Sequence, residues 1–490
     1  MGRGESSLRQ EGRKVAIFTT ASLPWMTGTA VNPLLRAAYL AKQTDLQVTL
    51  VVPWLARAEQ RKVFPGNLSF SKAQEQEQWV RQWVEKRTQH SANFKIIFYA
   101  GHYDPAFMSI FPVGDLPSYL PDSEADVAIL EEPEHLTWFH HGTRWTDKFN
   151  HVVGIIHTNY LDYARRNAPA AAVIVVRQAT RRLTNIHCHK VIKLSDAVQA
   201  FPRSTTEFVH GVPRPFLERG DAMAEPPQPG AGTATRQRFS AGAYFLGKGI
   251  WGKGYTELLD LLTEHKKSSE AALNFEIFGS GEDMPDIKAK AEAEGLDVTF
   301  HDGVDHLDER LKPFRVFVNP STSDVVATTS AEALAMGKWV ICAEHPSNAF
   351  FKRFDTCLIY KDAEEFSLHL QYAQSNDPTP LSLDQRWQLT WECATERFLN
   401  ASSVNRWPGP LTSLRNSFDW RIINTGTGLA WVRHAIGAGR NTHKTPDDVD
   451  AFDPSTIDAR RPKRHFTIDT RFEEAAALHE SLGYPRPRAI

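Results

Sequence analysis

Apolar residues fall in short runs rich in Val and Ile, with little strict alternation, and helical stretches lie between many of them. Such runs predict strands buried on both faces, as in a parallel sheet covered by helices. Residues 14–18, 46–52, 94–99, 126–131, 152–157 and 190–194 make a first series, and 241–247, 273–279, 297–300, 315–319, 338–343 and 357–360 a second. A first helix is expected to open at Asn32 and Pro33, a capping residue followed by one that needs no N–H. Further helices are expected after Gly254, Met284, Ser330 and Asp362. Residues 225–232 read EPPQPGAG, a composition that packs no core and favours an extended connection. The pattern predicts an α/β protein of two doubly wound, Rossmann-like domains facing a cleft, at 14–219 and 241–382, with a linker at 220–240. A helical run at 383–401 is expected to cross back to the first domain, and 402–490 carries no motif with a readable role. That tail holds a basic cluster at 460–464 and a helical stretch at 470–482.

Length agrees with two domains, since 490 residues exceed what one core serves. A net charge of −2 argues against a general nucleic-acid binder. Cys188, Cys342, Cys357 and Cys393 are far apart in sequence and read as reduced, buried thiols. His187, Cys188 and His189 suggest a metal cluster, but adjacent strand residues point to opposite faces, so the reading is that no metal binds there. No apolar run reaches the roughly 18–20 residues that a membrane span needs, so any bilayer contact is expected to be peripheral. The first thirteen residues are charged and Gly-rich and fit neither a secretory signal nor a transit peptide.

Candidate chemistry concentrates at the carboxyl ends of the expected strands. After 315–319 comes Asp324, then Val325 and the small residues Ala327, Thr328 and Thr329, then Glu332 and a helix-stopping Gly337. Two acids can accept bonds from sugar and ribose hydroxyls, while small residues let N–H groups at a helix start approach phosphates. An acid, seven residues and a second acid resemble the signature of retaining glycosyltransferases with the GT-B fold. An ordinary strand–loop–helix unit is the alternative. After 241–247, Lys248 and Lys253 stand among Gly247, Gly249, Gly252 and Gly254, suited to a diphosphate or to a solvated turn. In the first domain, 20–30 is a small-residue loop containing Gly28 and Thr29, and His157 ends a strand where it can face a ligand or serve the core.

Four runs carry a closer resemblance: FPVGD at 111–115, LEEPEHLTWFHHG at 130–142, GIIHTNY at 154–160, and EALAMG at 332–337 with HPSN at 345–348. Over roughly residues 14–399 the chain resembles the digalactosyldiacylglycerol synthases of plants and algae. The resemblance implies a GT-B enzyme that transfers galactose from UDP-galactose to monogalactosyldiacylglycerol with retention. It implies that Lys248 and Lys253 stabilise the diphosphate, Glu332 binds ribose, and Asp324 with the backbone of Val325, Thr328 and Thr329 holds galactose. His157 would touch the reacting sugar, Gly28 and Thr29 would close over the phosphates, and Gly279 would lie beside the donor. The leaving diphosphate would be neutralised by lysines and helix dipoles, so no metal or other cofactor is expected. The acceptor would enter through the first domain, where Trp25, Trp54, Phe107, Met108, Ile110, Phe111 and Tyr119 cluster in sequence, and where aromatics could meet a membrane or belong to the core. The implied location is the cytosolic face of the chloroplast outer envelope, as a peripheral protein.

The chain departs from the wider pattern in having Asp324 for the usual glutamate, no glycine after it, and Lys248 where arginine is common. The resemblance is to the short form, expected to be without the long N-terminal extension of some plant forms. Two alternatives stay open: another UDP-sugar-dependent glycolipid synthase, sulfoquinovosyl or glucosyl, and a non-catalytic lipid-binding scaffold.

Overall fold

The computed structural model describes residues 5–424 except 44, 106, 139, 141, 168–169, 225–238, 269–273 and 406, together with 476–477, 480 and 486. The first sheet contains β1 (Lys14–Phe18), β2 (Gln47–Trp54), β3 (Lys95–Asp104), β4 (Ser109–Pro112), β5 (Val127–Glu131), β6 (His151–Ile156), β7 (Lys190–Lys193) and β8 (Ser204–Thr206). Their order is β4-β3-β2-β1-β5-β6-β7-β8, parallel except for the β3–β4 hairpin. The second contains β9 (Ala241–Leu246), β10 (Phe275–Phe278), β11 (Val298–His301), β12 (Phe314–Asn319), β13 (Trp339–Ala343) and β14 (Cys357–Tyr360). It is wholly parallel, in the order β11-β10-β9-β12-β13-β14. Every residue of β5, β6 and β13 is buried, which is why these runs lack alternation. Strand order reverses between β1 and β5 and between β9 and β12, and in such sheets ligands settle at these two crevices.

Several expectations change. The short edge strands β4 and β8 were not foreseen. The first helix runs Gly28–Gln43, so Pro33 lies inside it. A proline there removes the bond to the carbonyl of Thr29, and the Thr19 hydroxyl donates to that carbonyl instead. Helix Arg214–Ala224 occupies the start of the expected linker; residues 225–238 lie outside the described residues. Phe208, Val212, Phe216 and Leu217 pack with Tyr244, Phe278 and Phe317, so this segment belongs to the core of the second sheet.

The return crossing has two helices, Leu383–Leu389 and Trp391–Ala401. The first starts on a Ser382–Gln385 capping box, and Leu389 sits in the second core. In the second, Trp391, Ala394, Phe398 and Leu399 join the first core. The tail then completes the first body. Val404 bridges to Ser6, and helix Pro410–Asn424 places Trp420 stacked on His140 at 5.5 Å and edge-on to His187 at 4.4 Å. The basic cluster at 460–464 and most of 470–482 lie outside the described residues.

His187, Cys188 and His189 diverge. His187 meets Trp420, Cys188 lies beside Gly154, and His189 Nδ1 accepts the Val152 N–H and packs against Trp407. Cys342 and Cys357, expected to stand apart, meet on neighbouring strands with sulfurs 3.7 Å apart, both as free thiols. Among the described residues no helix is long and apolar enough to cross a membrane.

Candidate active site

Both reversals open onto one cavity of about 690 Å³. Thr20, Gly28, Thr29, Glu132 and His157 line it from the first sheet; Gly247, Lys248, Lys253 and 324–329 line it from the second. Two helix starts therefore face one space, Gly28–Gln43 from one body and Thr328–Ala335 from the other. The cap residue Ala327 makes no side-chain bond to its helix, so the orphan N–H groups of this start point at whatever fills the cavity.

Local chemistry brings the second-body loops together. Gly254 has φ of 90°, and a Cβ there would lie 2.8 Å from Ser321 Cα, so glycine alone lets the β9 loop lie against the β12 loop. The Ser323 hydroxyl donates to the Gly252 carbonyl across the seam, and Lys253 Nζ donates to Asp324 Oδ1 at 2.6 Å. Lys248 is exposed at the cavity wall.

Gly279, Glu332, Trp54, Ile110 and Tyr119 are not among the residues that line the cavity. Gly279 does not line the cavity; a Cβ there would come within 2.4 Å of the Gly247 carbonyl and the Tyr255 hydroxyl, so its smallness serves loop packing. The helix begins at Thr328, before the expected Ser330, which puts Glu332 in its second turn and off the cavity wall. There Glu332 Oε2 pairs with His306 Nδ1 at 2.9 Å, and His306 Nε2 meets the Tyr244 hydroxyl at 2.6 Å. Trp54 is 3% exposed and packs edge-on to Phe98, a core residue because β2 is covered on both faces. Ile110 and Tyr119 are core residues too, whereas Phe107 and Met108 stand exposed at the cavity rim. Trp25 is half-buried against Tyr103 and lines the cavity, as does buried Phe111, stacked on His135 at 5.0 Å.

His157 is held by a chain that begins far from the cavity. Arg36 pairs with Glu131 at 2.7 Å, both fully buried, and the other Glu131 oxygen bonds His157 Nε2. Burial opposes ionisation of Glu131, yet Arg36, His157 and the hydrogen bonds from both hold its carboxyl below the usual range. An ionised Glu131 accepts a proton-bearing Nε2 and leaves Nδ1 as the second ring position. His210 stacks on His157 at 5.1 Å. Burial first, then His157, Arg36 and Arg397, push His210 well below the ordinary histidine range, so it backs the ring as a neutral imidazole.

Glu131, Glu132, Glu134 and His210 were not singled out from sequence. The signal was present: three acids in four residues, at the carboxyl end of a wholly buried strand beside a strand-order reversal. Glu132 has φ of 69°, a left-handed conformation that is strained for a side-chain-bearing residue and gathers at functional sites. Its carboxylate accepts the hydroxyls of Thr20, at 2.6 Å, and Thr158. Glu134, 4% exposed, lines the cavity, and burial pushes its carboxyl up to about 8.

Comparisons with known proteins agree with this architecture. Residues 242–375 match the family described as Glycosyl transferases group 1. A crystal structure of TarM aligns with a TM-score of 0.50 at 11% identity, covering 79% of this chain and 98% of that one. Two doubly wound sheets facing a shared cavity are the GT-B fold of glycosyltransferases. Digalactosyldiacylglycerol synthase 2, chloroplastic, of Arabidopsis thaliana is 48% identical over 443 residues, 89% of this chain and 92% of that protein. Digalactosyldiacylglycerol synthase 1, chloroplastic, of Glycine max is 50% identical over 395 residues, 80% of this chain and 50% of that protein. The chain thus spans about half the length of the synthase 1 relatives it matches. It belongs to the digalactosyldiacylglycerol synthase family.

Proposed function

We propose that this chain transfers galactose from UDP-galactose to monogalactosyldiacylglycerol with retention, giving digalactosyldiacylglycerol. The observation that carries the reading is the convergence of two helix starts, Lys248 and Lys253 on one cavity between the sheets, a positive setting for a nucleotide diphosphate. Gly28 and Thr29 cover the phosphates from the first body, and the backbone of Val325, Thr328 and Thr329 meets the donor from the second. Asp324 takes galactose hydroxyls. Glu332, beside the cavity, takes a ribose hydroxyl through the oxygen that His306 does not use. His157 presents its ring to the reacting sugar. In a front-face displacement the bond from the anomeric carbon to the phosphate oxygen breaks as the bond to the acceptor oxygen forms on the same face. The acceptor hydroxyl proton passes to the departing phosphate oxygen, so UDP leaves carrying it. Charge grows on that diphosphate, and fixed lysines and dipoles stabilise it without a metal.

Trp25 and Phe111, with the exposed Phe107 and Met108, form an apolar rim that suits a lipid-borne acceptor and peripheral attachment. The proposed site of action is the cytosolic face of the chloroplast outer envelope. The test is a donor panel of UDP-galactose, UDP-glucose and UDP-sulfoquinovose on liposomes holding monogalactosyldiacylglycerol, for the native chain and a Lys248→Ala, Lys253→Ala variant. UDP-galactose is expected to be preferred, with turnover by the variant falling further than its UDP affinity. Preference for another donor, or undiminished turnover by the variant, overturns the proposal.

A further inference from the structure

Two carboxyl groups at the end of β5 play no part in the donor site. Glu132 is turned by its left-handed backbone so that its oxygens gather Thr20, Thr158 and, at 3.5 Å, Tyr160, three hydroxyls that all line the cavity. Pro133 follows and packs on Gly154, where a Cβ would approach the proline Cγ to 2.7 Å, so strand β6 fixes the turn that places Glu134. Glu134 lines the same cavity with Oε2 buried and without a hydrogen-bond partner. A buried polar atom left in that state marks a place where a ligand group fits. Phe111, His135 and Trp138 line the same cavity and offer an aromatic wall.

Charge separates this wall from the opposite one. Lysines on the second body serve a diphosphate, whereas the lining here is the Glu132 carboxylate, the hydroxyls it holds, a buried acid and aromatic rings, which suits a neutral polyol rather than an anion. We propose that Glu134 and the Glu132-held hydroxyls form the acceptor-sugar subsite, in which Glu134 Oε2 bonds a hydroxyl of a neutral hexopyranoside lying on the aromatic wall. The inference rests on the proposed transfer to a galactolipid and names the residues that select its acceptor. Burial, the main cause, and neighbouring Glu132 favour the protonated form of Glu134, which donates a hydrogen bond.

The test compares the native chain with Glu134→Leu and Glu134→Gln, with UDP present. It reads binding of a water-soluble monogalactoside by saturation-transfer NMR, acceptor KM in liposomes, UDP affinity and Tm. Glu134→Leu is expected to weaken galactoside binding and raise acceptor KM by roughly tenfold, and Glu134→Gln, which still donates, by no more than about threefold. UDP affinity should be unchanged and Tm no lower, because the leucine removes a buried acid. Unaltered galactoside binding in Glu134→Leu overturns the subsite, as does an equal loss of UDP affinity. A native chain that binds the galactoside through Glu134 yet transfers nothing to galactolipid supports the subsite and overturns the proposed reaction.

Discussion

Lys253 Nζ lies 2.6 Å from Asp324 Oδ1, so two residues read from sequence as separate ligand contacts are partners across the loops after β9 and β12. Their side chains are 37% and 18% exposed, so the pair orders the loops more than it stabilises the fold. A diphosphate entering the cavity competes with Asp324 for the ammonium, and the two residues therefore act as a unit. In a double-mutant cycle on kcat/KM, the losses from Lys253→Ala and Asp324→Ala should overlap by about 0.5–3 kcal/mol. Additive losses would show two independent contacts.

The buried Arg36–Glu131–His157 chain makes a second prediction. His157→Ala should lower kcat by about 10²-fold if the ring polarises the reacting sugar. Glu131→Gln keeps the shape but no longer enforces a proton on Nε2, so its loss should appear in kcat rather than in donor KM. A pure KM effect in either variant would demote His157 to a binding residue.

Trp54 and Phe107 divide core from rim. Trp54→Ala should destabilise the chain by about 3–5 kcal/mol in urea titration, since a large ring leaves a closed core. Phe107→Ser should shift stability by no more than about 0.5 kcal/mol while weakening vesicle co-sedimentation. The reverse pattern would return Trp54 to the lipid-facing surface.

Glu134 links stability to pH. Its folded carboxyl sits near 8 against an ordinary 4.5, so the folded state keeps a proton that the unfolded chain releases. That contribution is full below the unfolded value and is lost as pH rises toward 8. Glu134→Gln has no such loss, so its Tm relative to the native chain should climb between pH 5 and pH 8 and then level. A constant difference would place Glu134 in an ordinary environment.

Legibility followed burial. Strands covered on both faces announce themselves as Val/Ile runs, and β1, β5 and β13 were readable almost to the residue. The edges were not: β8 has three residues, none buried, and resembles a loop. Pro33 misled because its local signal is a helix start, and only the Thr19 hydroxyl, brought in by the sheet, makes an interior proline tolerable. Trp54 is identical in sequence terms to an exposed aromatic; what buries it is Phe98 on the next strand. That Lys248, Lys253, Asp324 and His157 line one cavity follows from their place at strand ends. The pairing of Lys253 with Asp324 and the diversion of Glu332 to His306 depend on loops meeting across the fold.

The most direct measurement is transfer from UDP-galactose to monogalactosyldiacylglycerol in liposomes containing EDTA, with the product linkage assigned by NMR. An α-linked digalactosyl lipid is expected, formed at a rate that chelation leaves largely intact, because lysines and helix starts supply the positive charge. A β-linked product, or inactivation reversed by one divalent ion, would contradict this expectation.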